Sequence, residues 1–497
     1  MTSTTDIQNF TGKYPSQLWS LFFSEMWERF CFYGMRGVLI LFMVEQLMLD
    51  EVTANLQYGA TQAFVYAFTF IGGLFADKIL GYRKSLFWGG ILMILGSVLL
   101  MIDPKKLFFL GIAFTIIGTG FFKPNISTMV GSLYRDGDSR RDAGFSLFYA
   151  GINIGALIGG YVCVATGKGE LFSSIIPEAL RWNAAFGFAS VVMVISLITF
   201  LLSKRSLGSI GLSPLQHLNS KGRLTRELIT YLGSLLVIPV IMVMVSETQY
   251  TNYFMYTIGP CTLLYLFYEM RVLNSQQRSK LFAALVFIIF SIFFWSFFEQ
   301  SGGSLSLFAA SHLSDSIFGV PLDPNGVNNS ANSLFVILFA ALVGLVWVGL
   351  ARRKQEPHAL VKFSLAFIFL GLGFYLFYST RFFADAKAVS PLGLFTTGWL
   401  VITFGELCLS PIGMSLMTQL APQKLQAVMM GMWFLASAYG QYFAGILGAG
   451  ISEAALDASP IERLNVYTQG YQQLGLYALL CGAVMLLLYK PVKSWMG

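Results

Sequence analysis

Long apolar segments separated by short polar ones run through the whole of this 497-residue sequence. Each is close to the ~20 residues that an α-helix needs to cross a bilayer, and the runs are too continuous for the alternating strands of a membrane barrel. Because 56% of the residues are hydrophobic and only 11% are charged, we predict an all-α integral membrane protein. The predicted spans are 18–47, 55–77, 84–102, 107–130, 143–165, 183–203, 228–246, 252–270, 280–303, 330–351, 359–380, 391–420, 424–451 and 469–489.

The spans fall into groups of six, two and six along the chain. This order predicts 14 transmembrane helices: an N-terminal six-helix bundle in 1–205, a linker with two extra helices in 206–278, and a C-terminal six-helix bundle in 279–497. Two bundles around a central cavity are an architecture of alternating-access transporters.

Basic residues collect in the short segments on one side of the predicted membrane, which places both termini in the cytoplasm. Their distribution explains the formal net charge of +7 as membrane topology, so we expect no nucleic-acid partner. The clusters contain Lys78, Arg83, Lys84, Arg135, Arg140, Arg141, Lys204, Arg205, Arg271, Arg278, Lys280, Arg352, Arg353, Lys354, Lys490 and Lys493.

The first apolar span carries the charged stretch "SEMWERFCFYG", residues 24–34. Helical spacing positions Glu25 and Arg29 to pair at i and i+4. The face that they share also contains Glu28, Phe32, Tyr33 and Arg36. Charges at membrane depth normally face a bundle interior or water. The face is either a structural ion-pair network or a proton site whose ion pair forms and breaks during a conformational cycle.

Membrane-embedded carboxylates are the candidate proton carriers, because His217, His312 and His358 all fall in predicted loops. Besides the two glutamates of the first span, Glu299 and Glu406 lie at membrane depth. Two cations of the first half, Arg36 and Lys123, could face these second-half carboxylates. Opposite charges across a cavity suit a zwitterionic ligand or a gate made by salt bridges.

Other polar and aromatic side chains lie within the predicted spans. Lys123 needs a carboxylate or an anionic ligand, and the Pro124 that follows it predicts a helix kink. Asn153 stands among small residues that allow close helix approach. Ser410 follows Glu406 by four positions. Weaker candidates are Tyr66, Asn332, Trp433 and Ser437, since an aromatic side chain in a span is more often a packing residue than a ligand contact.

Several stretches together resemble the proton-coupled oligopeptide transporter family of the major facilitator superfamily over nearly the whole chain. "GGLFADKILGYRK" is similar to the superfamily loop motif after the second helix. "GTGFFKPNIS" and "FSLFYAGINIGA", joined to "EMWERF", are specific for the peptide transporters, and "GELCLSPIGMS" with "MGMWF" fits the second half. The extra helix pair resembles that of prokaryotic members.

The resemblance implies a symporter that imports di- and tripeptides by alternating access, with the proton carried by the carboxylates of the first helix. It implies proton coupling by Glu25, Glu28, Arg29 and Lys123, and an outer gate of Arg36 with Glu299. The implied peptide-binding residues are Tyr33, Arg36, Tyr66, Lys123, Asn153, Asn332, Glu406, Ser410, Trp433 and Ser437.

The sequence departs from the family pattern at four places. Phe32 stands where a tyrosine is common, Phe298 where some members have a second acid, Ser333 where proline is expected, and Gln441 where an asparagine is common. These departures bear on side-chain preference. Because relatives of this family differ in cargo, a same-fold proton-coupled transporter of nitrate, a drug or an amino-acid conjugate stays open as an alternative.

Other functional classes fit the sequence less well. An enzyme is not expected, because no nucleophile–base constellation is visible. A non-transporting receptor would have no use for the charged face of the first span. We expect no cofactor or metal, protons as the coupling ion, a monomer, and a multi-pass location in a bacterial inner membrane.

Overall fold

Long α-helices make up most of the chain in the computed structural model, which describes residues 3–135, 137–410, 413–453 and 458–496. The helices are α1 Thr4–Gln8, α2 Ser16–Glu45, α3 Glu51–Phe75, α4 Tyr82–Ile102, α5 Phe108–Ser132, α6 Arg141–Lys168, α7 Arg181–Ser203, α8 Ser220–Ser246, α9 Thr248–Met270, α10 Ser275–Phe298, α11 Ser304–His312, α12 Pro324–Arg352, α13 Ala359–Ser379, α14 Leu392–Leu409, α15 Gly413–Leu420, α16 Gln426–Ile451, α17 Pro460–Leu487 and α18 Tyr489–Met496. Two short strands, β1 Ser316–Ile317 and β2 Val320–Pro321, pair antiparallel. The expected all-α class is confirmed.

Within the described residues, 11 helical segments are long and apolar enough to cross a membrane. The other three predicted spans coincide with α2, α9 and α16, which contain 30, 23 and 26 residues. Helix α2 is long enough to span, but it carries the charged face predicted from the sequence. The protein is therefore a membrane protein with many spanning helices.

The helices form two compact units. The first unit comprises Met1–Phe42 with Phe64–Ser246, and α4 packs in it against α5 and α7, while α8 packs against α5. The second comprises Met43–Ala63 with Glu247–Gly497, and α13 packs in it against α14 and α17, while α10 and α9 pack against α16. The predicted domains 1–205, 206–278 and 279–497 follow the order of helices along the chain, whereas the two units are defined by contacts. The domain boundaries therefore remain a prediction.

Several helices extend beyond the spans predicted from apolar length. Helix α8 begins at Ser220, within the predicted basic connector, and α17 begins at Pro460. Capping explains such starts: Asp323, before α12, accepts a hydrogen bond from the N–H of Gly326 at 2.6 Å, which satisfies a free donor of the first turn. Polar turns continue the helix outside the apolar part, so hydropathy underestimates helix length.

Two sequence predictions are corrected by the helices of the second unit. The predicted span 391–420 is not continuous, because α14 ends at Leu409 and α15 begins at Gly413; residues 411 and 412 lie outside the described chain. His312 is not in a loop but is the last residue of α11, with 2% of its surface exposed. Its Nδ1 lies 3.1 Å from the carbonyl oxygen of Ala388, 76 residues later in the chain, and its ring packs against Phe308 and Tyr467.

A tight turn lies inside the stretch 72–84, where α3 continues as a π-helical turn, Ala76–Leu80, and ends at Gly81. Gly81 has a φ of +75°, and a Cβ there would lie 2.5 Å from the backbone of Leu212, so only glycine fits. Arg83 then donates from Nε to the carbonyl of Ile210 at 2.5 Å and from Nη2 to the carbonyl of Gly208 at 2.6 Å. One guanidinium thereby fixes the segment after α7.

Replacing Arg83 with lysine is expected to loosen this segment, because a lysine ammonium is a point charge that does not reproduce the two-point geometry. Losing one charge-assisted hydrogen bond costs about 1.5 kcal/mol. Tryptic cleavage after the exposed Arg205 should rise about tenfold. Arg271→Lys, on an exposed side chain of the second unit, is the control. Unchanged cleavage in Arg83→Lys would contradict the prediction.

Helices α2 and α6 approach closely through glycines of α6, as the small residues around Asn153 predict. A Cβ on Gly155 would overlap the carbonyl oxygen of Met26, and a Cβ on Gly159 would overlap that of Phe30. These contacts hold the backbone of α2 on either side of Glu28 and Arg29. The glycines of α6 therefore position the charged face.

Gly155→Ala is expected to destabilise the protein, because the new methyl group has no space against the Met26 carbonyl. Overpacking of this kind typically costs about 1–3 kcal/mol, and we expect a lowered midpoint of thermal unfolding in detergent. Gly233→Ala on α8 is the matched control, since within the described residues no atom beyond its own helical turn lies within 4 Å of its Cβ position. Equal midpoints for the two variants would show that α2 and α6 are not tightly packed.

Candidate functional site

The charged face of α2 is buried within the first unit. Glu25, Glu28 and Arg29 have 1%, 0% and 1% of their surface exposed. The Nε of Arg29 lies 3.2 Å from Oε1 of Glu25, which is the predicted i, i+4 pair. Arg29 also makes a two-point contact with Glu28, from Nη2 to Oε1 at 2.6 Å and from Nε to Oε2. One guanidinium thus holds both carboxylates.

The two carboxylates are held unequally. Both oxygens of Glu28 are bonded to Arg29, whereas Oε2 of Glu25 is buried and has no hydrogen-bond partner within the described chain. A proton can therefore add to Glu25 without breaking a hydrogen bond, while a proton on Glu28 breaks a two-point ion pair. The triplet alone carries a net negative charge, and the charge of Lys123 acts on both glutamates.

Aromatic rings cover the cations of this unit. The Phe32 ring lies 5.0 Å from the guanidinium carbon of Arg29, so the departure to phenylalanine leaves an apolar cover over the ion pair. Lys123 Nζ lies 4.7 Å from the centre of the Tyr66 ring. Such cation–π contacts stabilise a partly desolvated charge.

The remaining first-half candidates of α2 and α6 make contacts near their own positions. The guanidinium of Arg36 lies 5.7 Å from the Tyr33 ring, and both side chains are half-buried. Asn153 donates to the carbonyl oxygen of Tyr149 at 2.9 Å, within its own helix.

A second buried carboxylate site lies in the second unit. Glu406 on α14 is 8% exposed and accepts a hydrogen bond from Nδ2 of Asn332 on α12 at 2.7 Å. The same amide nitrogen contacts Oγ1 of Thr403 at 3.1 Å. Within the described chain, no cation lies within ion-pair distance of Glu406. Asn332 orients the Glu406 carboxylate. The negative charge of that carboxylate remains available to a cationic group.

The other predicted residues of this unit surround α14 and α16. Glu299, in the turn Glu299–Gly302 after α10, is 4% exposed, and its charge acts on Glu406. Ser410 caps α14 through its N–H, which donates to the carbonyl of Glu406 at 2.9 Å. Ser437 donates at 3.3 Å to the carbonyl of Trp433, one turn earlier on α16.

The departure at Phe298 has a clear structural setting. Its ring packs against Phe294, Trp295 and Trp399, with centroid distances of 5.8, 5.3 and 6.1 Å. An acid at this position would lie among aromatic rings rather than beside a cation. Phenylalanine is the residue that this environment stabilises.

Sequence reasoning missed several polar residues of the second unit. Gln300 donates to the carbonyls of Ser296 and Ala444, and its oxygen accepts from Ser304 at 2.8 Å. Thr403, which contacts Asn332, was also missed. The signal in the sequence is an amide or hydroxyl inside an apolar run, which is weaker than that of a charged side chain because a neutral polar group costs less to bury.

The structure therefore brings candidates together in four sets: Glu25 with Glu28 and Arg29, Lys123 with Tyr66, and Arg36 with Tyr33 in the first unit, and Asn332 with Glu406 in the second. Arg36 and Glu299 belong to different units, so their gate remains a prediction. Within the described chain, no group of three or more His, Cys, Asp or Glu side chains is arranged to hold a metal ion.

Comparison with known proteins gives consistent matches. The PTR2 model of the POT family matches residues 83–464. The peptide transporter YePEPT of Yersinia enterocolitica is 33% identical, covering 100% of this chain and 98% of its own. A di-/tripeptide transporter of Lactococcus lactis is 30% identical, covering 97% of each chain. The crystal structure of the peptide transporter POT in complex with sulfate superposes with a TM-score of 0.81 at 28% identity, covering 100% of both chains.

Proposed function

The chain belongs to the POT family, and on that premise we propose that it is a proton-coupled symporter that imports di- and tripeptides by alternating access. As a member of this family it is a membrane transporter and not an enzyme, as the sequence predicts. The names of the Yersinia and Lactococcus relatives support peptides as the cargo.

The buried charged face of α2 carries the proposal. Burying two carboxylates and a guanidinium in a helix of spanning length is costly unless the charges are paired and used. Glu25 is the group that takes up the proton, and Glu28 holds Arg29 in place. Protonation weakens the attraction between Glu25 and Arg29 and permits the change from outward-open to inward-open. Lys123 senses the charge of both carboxylates.

The peptide termini supply the complementary charges. The peptide ammonium binds Glu406, which Asn332 orients and which lacks a cation of its own within the described chain. The peptide carboxylate binds on the side of the cavity formed by Arg36 and Lys123, with Tyr33, Tyr66 and Asn153 as hydrogen-bonding neighbours. Ser410, Trp433 and Ser437 line the side of the amino end, and Arg36 with Glu299 closes the outer gate.

The proposed layout has 14 transmembrane helices, in two six-helix bundles of the major facilitator type plus the pair α8 and α9. The clusters of lysine and arginine support cytoplasmic termini, and bacterial relatives support the inner membrane. Protons are the coupling ion, no cofactor takes part, and the monomer is the transporting species, because its two bundles supply both walls of the cavity.

Uptake of labelled dialanine into liposomes that contain the purified protein tests the proposal. With an inward proton gradient, we expect accumulation that a protonophore abolishes, that tripeptides compete and that free alanine does not. Empty liposomes and liposomes without a gradient are the controls. If folded protein carries no dipeptide but binds another small solute, the alternative cargo replaces peptides while the fold assignment stands.

A further inference from the structure

A basic cavity of about 230 Å³ lies in the first unit, apart from both carboxylate sites. It is bounded by the start of α4, the end of α7 and the middle of α8. Its polar rim consists of Arg83, Lys84 and Lys204. All three belong to the segments that the distribution of basic residues assigns to the cytoplasmic side.

The rim has an excess of positive charge. Lys84 is paired with Glu227 of α8 at 2.6 Å. Arg83 donates only to carbonyl oxygens, which leave its charge unneutralised, and within the described chain its Nη1 has no acceptor. Lys204 is exposed and has no carboxylate within 4 Å in the same part of the chain. Two cations thus remain available to an anion.

The walls below the rim are apolar and aromatic. Phe87, Ile91 and Leu201 line them, and Leu201 is 42% exposed. The rings of Trp88 and Tyr231 contact at a tilt of 44°, with centroids 4.8 Å apart, and Trp88 donates to the Ser234 hydroxyl at 3.0 Å. Tryptophan and tyrosine are typical of the headgroup level of a bilayer.

From this arrangement we propose that the cavity binds the phosphate headgroup of an anionic phospholipid from the cytoplasmic leaflet. Basic pockets between transmembrane helices on this side are suited to such headgroups. The volume is smaller than the ~300–1,000 Å³ of pockets for drug-sized ligands, so it takes the headgroup while the acyl chains lie along the exposed apolar side chains of α7. A free phosphate would leave the apolar walls without a partner.

The proposal also gives the extra helix α8 a role. Tyr231 forms one wall of the cavity, and Glu227 holds Lys84 at its rim, so the cavity is complete only when α8 is packed on α4. A bound lipid then contacts three helices at once and stabilises the docking of α8. This inference does not depend on the identity of the cargo.

Native mass spectrometry of the full-length protein in detergent tests the site with phosphatidylglycerol as the probe. Wild type should retain phosphatidylglycerol in preference to phosphatidylcholine. Lys204→Gln should bind phosphatidylglycerol about fivefold more weakly, since one basic residue near the surface contributes about that factor. Arg205→Gln, which removes the same charge one residue away and outside the cavity lining, should bind as wild type does.

Three outcomes would overturn the proposal. Equal weakening by Lys204→Gln and Arg205→Gln would mean general attraction to a basic surface. Equal retention of phosphatidylcholine and phosphatidylglycerol would mean that the cavity does not recognise an anionic headgroup. Displacement of the lipid by inorganic phosphate at low millimolar concentration would mean a site for free phosphate. Unfolding midpoints of both variants without lipid show that their folds are intact.

Discussion

Glu25→Gln is expected to abolish proton-driven accumulation of dialanine while exchange of internal for external dialanine continues. A proton that enters down 100 mV and one pH unit supplies about 2.3 plus 1.4 kcal/mol, or about 3.7 kcal/mol. This is enough for a roughly 500-fold concentration ratio of a zwitterionic peptide. In the variant the ratio of internal to external dialanine should fall to about one, because the glutamine side chain cannot take up and release a proton.

The contacts of α2 explain why Glu25 rather than Glu28 is the position to test. Oε2 of Glu25 has no hydrogen-bond partner within the described chain, so a neutral amide there leaves the two-point contact between Glu28 and Arg29 intact. Glu28→Gln instead leaves Arg29 with a weakened partner. Breaking a buried ion pair costs about 3–5 kcal/mol, so that variant should lose stability as well as coupling.

Liposome uptake with an imposed proton gradient and counterflow without one separate the two functions. Glu170→Gln, at an exposed glutamate, is the matched control and should accumulate dialanine as wild type does. Unfolding midpoints should be similar for wild type and Glu25→Gln and lower for Glu28→Gln. Accumulation against a gradient by Glu25→Gln would exclude this carboxylate as the coupling site, and loss of counterflow would indicate a structural role.

Much of the fold follows from the sequence, because apolar length and the need to satisfy the backbone in lipid leave helices as the only continuous solution. The ends of the helices do not follow, since capped polar turns such as that of Asp323 continue helices past the apolar part. The short helix α11 was missed for a related reason. Its nine residues follow the predicted span 280–303 and are too few to be recognised as a span by apolar length.

The sequence also predicts only part of the ion pairing on the charged face. The spacing of Glu25 and Arg29 predicted their pairing, since residues four apart are neighbours on a helix. The two-point pair of Glu28 with Arg29 was not predicted, because adjacent residues do not face each other on an ideal helix. It forms because the burial of both long side chains leaves each as the nearest partner of the other.

The second-unit site required more than a pattern. Asn332 and Glu406 lie on different helices, 74 residues apart in sequence, and no periodicity relates them. The family resemblance implies a role for both residues. Their 2.7 Å contact, and the contact of Thr403 with Asn332, are seen only in the folded chain. The pairing of helices sets such distances, and a single sequence does not encode that pairing in its local pattern.

Glu406→Gln is expected to weaken binding of dialanine at least thirtyfold. The carboxylate is 8% exposed, is oriented by Asn332 and has no cation within ion-pair distance in the described chain. A peptide ammonium therefore completes a charge pair that the protein leaves open. Removing one member of a buried hydrogen-bonded charge pair costs about 2–5 kcal/mol, and each 1.4 kcal/mol is tenfold in the dissociation constant.

N-acetyl-dialanine, which lacks the ammonium, distinguishes recognition of this group from a structural role. Dissociation constants for both ligands should be measured with wild type, Glu406→Gln and the control Glu356→Gln, which changes a surface carboxylate paired with Lys362. If Glu406 binds the ammonium, the substitution weakens dialanine but leaves the acetylated peptide unchanged, and acetylation weakens binding only to wild type and the control. Equal loss for both ligands would mean that Glu406 shapes the pocket through Asn332, and the amino end of the peptide would then have to bind elsewhere.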